Sequence, residues 1–295
     1  MRPAVTLATA FAIASLGLMA PGASAQTVEP FADASRLVSI GGSLTEIAYE
    51  LGAADLLVAR DTTATYPAEA LELPDVGYMR ALAPEGVLSV DPSAILALEG
   101  AGPIDAIEVL QSASVPIVFV PDRFDAEGVT TKVTMVGEAL ARTREATALN
   151  EELDARFAEL AAETAGIADR KSVLFILSME AGRINASGTG TAADGIIALA
   201  GADNAITDYE GYRQLGEEAI IAADPDVILM MDRGGDHGAS ETDLLAHPAI
   251  ALTTAGRTGA VIEMDGSYLL GFGPRTADAG YDLFTAIYGN PDPAP

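Results

Sequence analysis

The sequence contains an internal repeat, and this repeat limits the folds that the chain can adopt. The segment from Glu85 to Leu96 reads EGVLSVDPSAIL, and the segment from Glu218 to Leu229 reads EAIIAADPDVIL. In both copies Glu precedes Pro by seven residues, and the copies lie 133 positions apart. Each copy is typical of a short helix that leads through an Asp-Pro turn into a buried strand. A supersecondary unit that recurs at this distance predicts two similar lobes.

The residues before the first copy predict how each lobe is built. Arg36 to Ile40 has the composition of a short buried strand, and apolar residues at 44, 47, 48 and 51 repeat at helical spacing before Gly52. Ser43 and Glu46 have the spacing of a capping box at the start of this helix. A second strand is expected at 56–60. The order of strand, helix and strand indicates a parallel sheet.

The middle of the chain has a different character. Residues 125–169 contain no proline, and their apolar side chains recur at intervals that fit helical faces. We therefore predict an α/β fold of two Rossmann-like lobes with the ligand cleft between them. The N-terminal lobe is expected at 36–124 and the C-terminal lobe at 170–290. A long helix, or a bent pair of helices, would connect them at 125–169.

Residues 1–25 have the pattern of an export signal. Arg2 precedes an apolar run at 7–20, and Ala23-Ser-Ala25 is typical of a cleavage site. No later run reaches the roughly 18 apolar residues of a spanning helix. The sequence has no cysteine, which excludes disulfides, thiol catalysis and an acylated N-terminal cysteine. We expect a soluble periplasmic protein that is neither a lipoprotein nor inserted in the membrane.

The charge of the chain disfavours one class of partner. The formal net charge is −27 at pH 7. Affinity for nucleic acid depends on clustered lysine and arginine, so no nucleic-acid partner is expected. An acidic, solvated surface and a specific cationic partner both fit this charge.

Several segments resemble the periplasmic binding proteins that serve ABC transporters for iron-siderophores, cobalamin and haem. The resemblance is greatest to the haem-binding members. It rests on RLVSIGGSLTEI at 36–47, VARD at 58–61, LPDVGYMRAL at 73–82, VLFILS at 173–178, TAADG at 191–195, YRQL at 212–215 and LLGFG at 269–273.

This resemblance implies a bilobal, monomeric protein that captures haem b and delivers it to an inner-membrane ABC permease with its ATPase. A siderophore or cobalamin binder of the same class is the alternative. A second alternative is a periplasmic haem-modifying enzyme, although the sequence carries no enzyme signature.

The resemblance also implies that Tyr78 is an axial ligand of the haem iron. A phenolate is a hard anionic donor suited to ferric iron, and tyrosine is among the known axial ligands of haem. Gly77 would allow the backbone to approach the macrocycle. An amphipathic tyrosine at a domain rim is the other interpretation. If Tyr78 is the axial ligand, Arg80 would neutralise a propionate or hydrogen-bond the phenolate. The alternative is that Arg80 is a surface arginine without a partner.

Further candidates rest on weaker signals. By resemblance, Arg60, Arg213 and Arg233 lie near the cleft mouth as propionate partners. Met179 stands where some relatives carry histidine, and a thioether can ligate haem iron. A methionine just after a strand is also a common packing residue, which would leave the iron five-coordinate or bound to water.

Two pairs of side chains complete the candidates. The resemblance implies that Glu85 and Glu218 dock one lobe each with basic residues of the permease. Stabilisation of a helix first turn is the alternative for both. His237 and His247 lack the spacing and carboxylate neighbours of a metal centre, so no zinc or manganese site is predicted. His237 either faces the cleft or is solvated.

Overall fold

The structure of the protein is a computed structural model that describes residues 28–232 and 240–289. The predicted export signal, Arg233 and His237 lie outside the described residues. Within the described ranges, no helix is both long enough and apolar enough to cross a membrane.

The N-terminal lobe is a parallel four-stranded sheet with helices. Its elements are β1 (Leu37–Ile40), α1 (Gly42–Glu50), β2 (Leu57–Arg60), α2 (Pro84–Leu88), β3 (Ala94–Leu98), α3 (Ile104–Ser112) and β4 (Ile117–Val120). The strand order is β2-β1-β3-β4, and every pair is parallel. All residues of β1 and β3 are buried, as expected of central strands covered on both faces.

The first helix begins differently from the sequence prediction. Its N-cap is Gly41, which has φ 121° and provides no side-chain cap. A Cβ at Gly41 would lie 2.5 Å from Leu98 Cδ1, so glycine is required by both conformation and space. The predicted capping box of Ser43 and Glu46 is therefore wrong. The Glu46 carboxylate instead accepts hydrogen bonds from Arg275.

The connector is a pair of helices, α4 (Ala126–Ala139) and α5 (Thr143–Thr164). Ala141, between them, has φ 54°. The helices approach closely at Gly137, where an added Cβ would lie 2.3 Å from Ala146 Cβ. Helix α4 packs on α1 and β4, whereas α5 packs on helices of the C-terminal lobe. Each lobe is thus covered by one helix of the pair.

The C-terminal lobe contains a six-stranded mixed sheet. Its elements are β5 (Ser172–Glu180), β6 (Arg183–Ser187), α6 (Ala192–Leu199), β7 (Asp203–Asn204), β8 (Tyr212–Leu215), α7 (Glu217–Ala223), β9 (Val227–Asp232), α8 (Glu241–Leu245), α9 (Thr254–Thr258), β10 (Val261–Asp265), α10 (Gly266–Leu270) and α11 (Thr276–Tyr288). The order is β10-β9-β5-β6-β8, and β7 also pairs with β5. Strands β6 and β8 are antiparallel to their neighbours, while the other pairs are parallel. The predicted two-lobed α/β class is confirmed, with an antiparallel extension that the sequence did not indicate.

The repeat has a common backbone geometry in both lobes. Asp91 and Asp224 both adopt positive φ, at 49° and 37°, directly before a proline. Each lies between a short helix, α2 or α7, and a strand inside its sheet, β3 or β9. The repeated sequence therefore builds the same turn twice.

Polar contacts join the two lobes beside their shared apolar core. Lys132 of α4 is fully buried, and its Nζ lies 2.5 Å from an Asp122 carboxylate oxygen and 3.1 Å from the Phe272 carbonyl oxygen. Phe272 also packs edge-on against Phe124, with ring centroids 5.3 Å apart. The chain segment before α11 is thus held against the N-terminal lobe.

Candidate ligand-binding site

Tyr78 lies in the loop between β2 and α2 and is accessible to a ligand. Its side chain is 43% exposed, although the nearby Val76 and Met79 are only 6% and 4% exposed. The loop is therefore anchored by apolar side chains that point inward while the phenol points outward. Loops at the carboxyl ends of parallel strands are the usual ligand sites of α/β sheets.

Arg80 is paired with this phenol. Its Nη1 donates a hydrogen bond to the Tyr78 hydroxyl oxygen at 2.8 Å, and both side chains are exposed. A charged donor at that oxygen stabilises a phenolate more strongly than a neutral donor would. The structure therefore brings together the two residues that the Gly-Tyr-x-Arg sequence suggested.

A second phenol, Tyr212, approaches this pair from the other lobe. Burial raises the pKa of Tyr212, while hydrogen bonding to the Thr191 side chain and the Ala193 backbone opposes the rise. The positive charge of Arg80 lowers the same pKa further, and Tyr78 raises it slightly. Tyr212 of β8 is thus close enough to both residues to interact with them electrostatically. The candidate site therefore contains one tyrosine from each lobe.

Tyr212 was not among the site residues predicted from the sequence. It belongs to YRQL, a four-residue strand without apolar alternation, so hydrophobic periodicity gave no strand signal there. The tyrosine is nevertheless well supported, because its ring packs edge-on against Phe175 with centroids 6.3 Å apart. The resemblance of the YRQL segment was the one sequence signal that pointed to it.

Arg213 is directed away from Tyr212. Successive side chains of a strand point to opposite faces, and the Arg213 guanidinium lies 5.0 Å from the Tyr209 ring centroid. It is exposed, but it stacks on Tyr209 rather than meeting the Tyr78–Arg80 pair. The structure therefore does not bring Arg213 together with the two cleft tyrosines.

Arg60 does not fit its expected role as a propionate partner. It is 8% exposed, and its Nη1 binds the Asp75 carboxylate at 2.9 Å and the Asp61 carbonyl oxygen at 3.1 Å. A guanidinium that is buried and already paired is not free to meet an anion in the cleft. Arg60 instead supports the loop that carries Tyr78.

Met179 lies on the opposite face of the second sheet from Tyr212. It packs against the apolar cluster that contains Ile176 and Ile184, whereas Tyr212 contacts Phe175, which belongs to the other core cluster. A bulge between Ile176 and Ser178 changes the alternation of β5 and turns Met179 to this side. Met179 is therefore a packing residue in this structure.

The two glutamates of the repeat are solvent-exposed in the first turns of α2 and α7. Within the described residues neither Glu85 nor Glu218 forms an ion pair, so both carboxylates are available to a partner. His247 is different, because it is 7% exposed and its Nε2 lies 3.0 Å from the Gly182 carbonyl oxygen. The ranges 28–232 and 240–289 contain no group of three or more metal-binding side chains.

Two cavities within the described residues lie away from Tyr78 and Tyr212. One of about 500 Å³ lies between α5 and α11, and one of about 480 Å³ lies between β8 and α7. Neither is lined by Tyr78 or Tyr212. The candidate site is therefore defined by the side chains of Tyr78, Arg80 and Tyr212, which come from both lobes, and not by a cavity.

A family model described as periplasmic binding protein matches residues 37–268. This chain belongs to the periplasmic binding protein family. Among curated relatives, the uncharacterized ABC transporter substrate-binding lipoprotein YvrC of Bacillus subtilis is 28% identical over 270 residues, which cover 90% of this chain and 84% of YvrC. The vitamin B12-binding protein of Vibrio campbellii is 26% identical over 199 residues, which cover 66% of this chain and 70% of that protein.

Solved structures are similar over almost their whole length. The periplasmic heme-binding protein BhuT, in complex with two hemes, is 38% identical with a TM-score of 0.81, and the match covers 85% of this chain and 97% of BhuT. The periplasmic heme-binding protein RhuT from Roseiflexus sp. RS-1, in apo form, is 35% identical with a TM-score of 0.82, and the match covers 86% of this chain and 98% of RhuT.

Proposed function

We propose that this protein binds haem in the cleft between its lobes and delivers it to an ABC importer of the inner membrane. The observation that carries the proposal is the exposed Tyr78 phenol, whose oxygen accepts a hydrogen bond from Arg80 at 2.8 Å. The heme-binding function of BhuT and RhuT, which resemble this chain over most of its length, supports the same ligand.

The chemistry of this pair suits ferric haem. A phenolate supplies a hard anionic oxygen to Fe(III), and the Arg80 guanidinium stabilises that oxygen as it binds the metal. The chain as a whole carries a net charge of −27, which repels an anionic ligand. A cation beside the phenol offsets this repulsion locally. Tyr78 is thus proposed as the axial ligand and Arg80 as its hydrogen-bond donor.

Tyr212 extends the site into the second lobe. Its ring is fixed against Phe175, and its hydroxyl group interacts with the first turn of α6. A flat macrocycle between the lobes would therefore meet a phenol on each side. We assign Tyr212 to the ligand-contacting surface of the C-terminal lobe.

Delivery requires contact with a permease. We propose that Glu85 and Glu218 make this contact, because both are exposed on equivalent helices of the two lobes and are unpaired within the described residues. Basic residues on the permease would complement them. The protein is proposed to act as a soluble periplasmic monomer and, without a cysteine, not as a lipoprotein like YvrC.

Cobalamin is the second candidate ligand, and the relative that binds vitamin B12 is the observation that favours it. Isothermal titration of the exported protein with haemin, cyanocobalamin and a ferric siderophore separates the candidates. We expect saturable binding of haemin alone. Saturable binding of cyanocobalamin without haemin binding would refute the haem proposal. Formation of a modified tetrapyrrole during incubation with haemin would instead favour an enzyme.

A further inference from the structure

The two backbone amides on either side of Tyr78 are each held by a carboxylate. The Gly77 amide donates to Asp75 Oδ1 at 2.8 Å, and the Met79 amide donates to Asp61 Oδ2 at 3.2 Å. The Met79 amide lies in the peptide plane that follows Tyr78, and the Gly77 carbonyl, in the plane that precedes Tyr78, accepts a hydrogen bond from the Thr62 amide at 3.0 Å. The two carboxylates, together with the Thr62 amide, therefore hold the backbone on both sides of Tyr78 and with it the direction of the Tyr78 Cα–Cβ bond.

Asp61 joins three segments of the N-terminal lobe at this point. It is fully buried and directly follows β2, and its carboxylate accepts hydrogen bonds from the Gly41 amide at 2.9 Å and the Thr63 amide at 3.2 Å. The Thr63 hydroxyl donates to the same carboxylate at 2.9 Å. These groups and the Met79 amide are all hydrogen-bond donors, and an ionised Asp61 carboxylate can accept from each of them. Asp61 thus ties the Tyr78 loop to the start of α1.

Asp75 connects the other side of the loop to β2. Its Oδ2 pairs with Arg60 at 2.9 Å, and Arg60 also binds the carbonyl oxygen of Asp61. Backbone hydrogen bonds from the Arg60 amide to Pro74 and from the Val76 amide to Arg60 add to this connection. The loop segment is consequently fastened to the strand end both before and after Tyr78.

We propose that Asp61 and Asp75, with Arg60 as the partner of Asp75, are positioning residues that orient Tyr78 toward the iron of its ligand. This inference rests on the proposed function, because it assigns the residues to the same haem site. Groups that hold a metal ligand in place typically contribute about 10–100-fold to metal affinity. The same network explains why Arg60 is buried and not available in the cleft.

The test compares two substitutions that remove the same kind of contact. Asp75→Ala breaks the hydrogen bonds from the Gly77 amide and the Thr62 hydroxyl, together with one ion pair, at a side chain that is 41% exposed. Asp226→Ala is the matched control, because Asp226 is 33% exposed, accepts from the Ser172 amide at 3.0 Å and pairs with Lys171. Asp226 directly precedes β9, at the end of the strand away from the cleft loops.

Two measurements are made on the full mature protein. The first is titration with haemin, followed by visible absorption at the phenolate-to-iron charge-transfer band. The second is hydrogen exchange of the Gly77 amide in the ligand-free protein, which needs no haem. We expect Asp75→Ala to weaken haemin binding by about tenfold or more, to reduce the band and to accelerate this exchange. We expect Asp226→Ala to do none of these.

A Tyr78→Phe background separates positioning from a direct effect on the ligand. If Asp75 acts through Tyr78, then Asp75→Ala produces no additional loss of affinity in that background. An equal loss in both backgrounds, or equal haemin binding by Asp75→Ala and Asp226→Ala, would refute the positioning role while leaving the proposed function intact. If the unaltered protein shows no haemin binding, the proposed function fails and this role fails with it.

Asp61→Asn gives an independent test at the other amide. Asparagine has the shape of aspartate, but its NH₂ group would face backbone donors. We expect Asp61→Asn to reduce haemin affinity by at least about tenfold and to accelerate exchange of the Met79 amide. Unchanged exchange and unchanged affinity in this variant would contradict the proposal.

Discussion

The contact between Glu46 and Arg275 leads to a quantitative prediction about how the lobes are held together. Glu46 lies in α1 of the N-terminal lobe, and Arg275 directly precedes α11 of the C-terminal lobe. The Arg275 amide, Nε and Nη2 donate to the Glu46 carboxylate at 3.2, 3.0 and 2.9 Å. The guanidinium also lies 3.7 Å from the centroid of the Tyr66 ring. Substitution to methionine keeps an apolar stem and removes the charge.

The expected loss in the free energy of unfolding follows from the Glu46 carboxylate, which Arg275→Met leaves buried and without its partner. Removing one partner of a buried ion pair costs about 3–5 kcal/mol, because the other charge stays buried. The lower end applies here, since the Arg275 side chain is 23% exposed and the Glu46 side chain 8%. Loss of the contact with Tyr66 adds about 0.5–1 kcal/mol. Arg275→Met should therefore lower the free energy of unfolding by about 3–4 kcal/mol and Tm by about 6–16 °C.

The loss should depend on pH in a definite direction. Burial raises the pKa of Glu46, and the hydrogen bonds and charge of Arg275 oppose that rise. Without Arg275 the folded-state pKa rises further above the unfolded value. A carboxyl with a raised folded pKa destabilises the protein as pH increases through the interval between these values. Arg275→Met should accordingly be more destabilising at pH 8 than at pH 5.

Urea denaturation followed by circular dichroism measures the loss of stability and its pH dependence. Glu46→Gln and the Arg275→Met/Glu46→Gln double variant complete a double-mutant cycle. At pH 8 the double variant should be more stable than Arg275→Met alone, because no buried charge is left. An equal loss at pH 5 and pH 8, together with no recovery in the double variant, would refute this explanation.

Three further outcomes are expected. Arg80→Met should weaken haemin binding by about tenfold through loss of its hydrogen bond to the phenolate, and unchanged affinity by titration would contradict that role. Met179→Leu should leave the haem spectrum and affinity unchanged because the half-buried side chain packs against the apolar cluster on the other face of the sheet from Tyr212; a shifted Soret band would contradict this. Charge reversal at both Glu85 and Glu218 should abolish transporter-dependent uptake but preserve haemin affinity, and retained uptake would exclude them as docking residues.

The parts of the fold that were predictable have strong local signals. The strands predicted at 36–40 and 56–60 correspond to β1 and β2, and both connector helices lie within the predicted range 125–169, because these segments have clear apolar patterns. The repeat also predicted equivalent turns in both lobes. The positive φ of Asp91 and Asp224 could not be predicted, because a residue before proline ordinarily adopts extended backbone.

The parts that were missed depend on contacts between distant residues. Glu46 has the spacing of a cap, but its true partner Arg275 is 229 positions away. Arg60 has the chemistry of an anion ligand, yet the fold buries it against Asp75. The sequence shows which groups are present, whereas tertiary packing determines which of them come into contact.

The candidate site was predictable in one lobe only. Tyr78 and Arg80 are two residues apart, so their pairing is local and could be anticipated. Tyr212 joins them through the order of strands in the second sheet, where an antiparallel extension places β8 at the edge. That strand is short and polar, and no periodic pattern marks it. The second half of the cleft therefore required the structure.

The most direct test of the proposed function is a haemin titration of the mature protein beside Tyr78→Phe, recorded in the visible spectrum. Phenylalanine keeps the ring and removes only the oxygen that would bind iron. We predict a saturable Soret shift with a phenolate-to-iron charge-transfer band for the unaltered protein, and loss of the band with weaker binding for the variant. The same spectrum and affinity in both proteins would contradict the assignment of Tyr78 as the iron ligand.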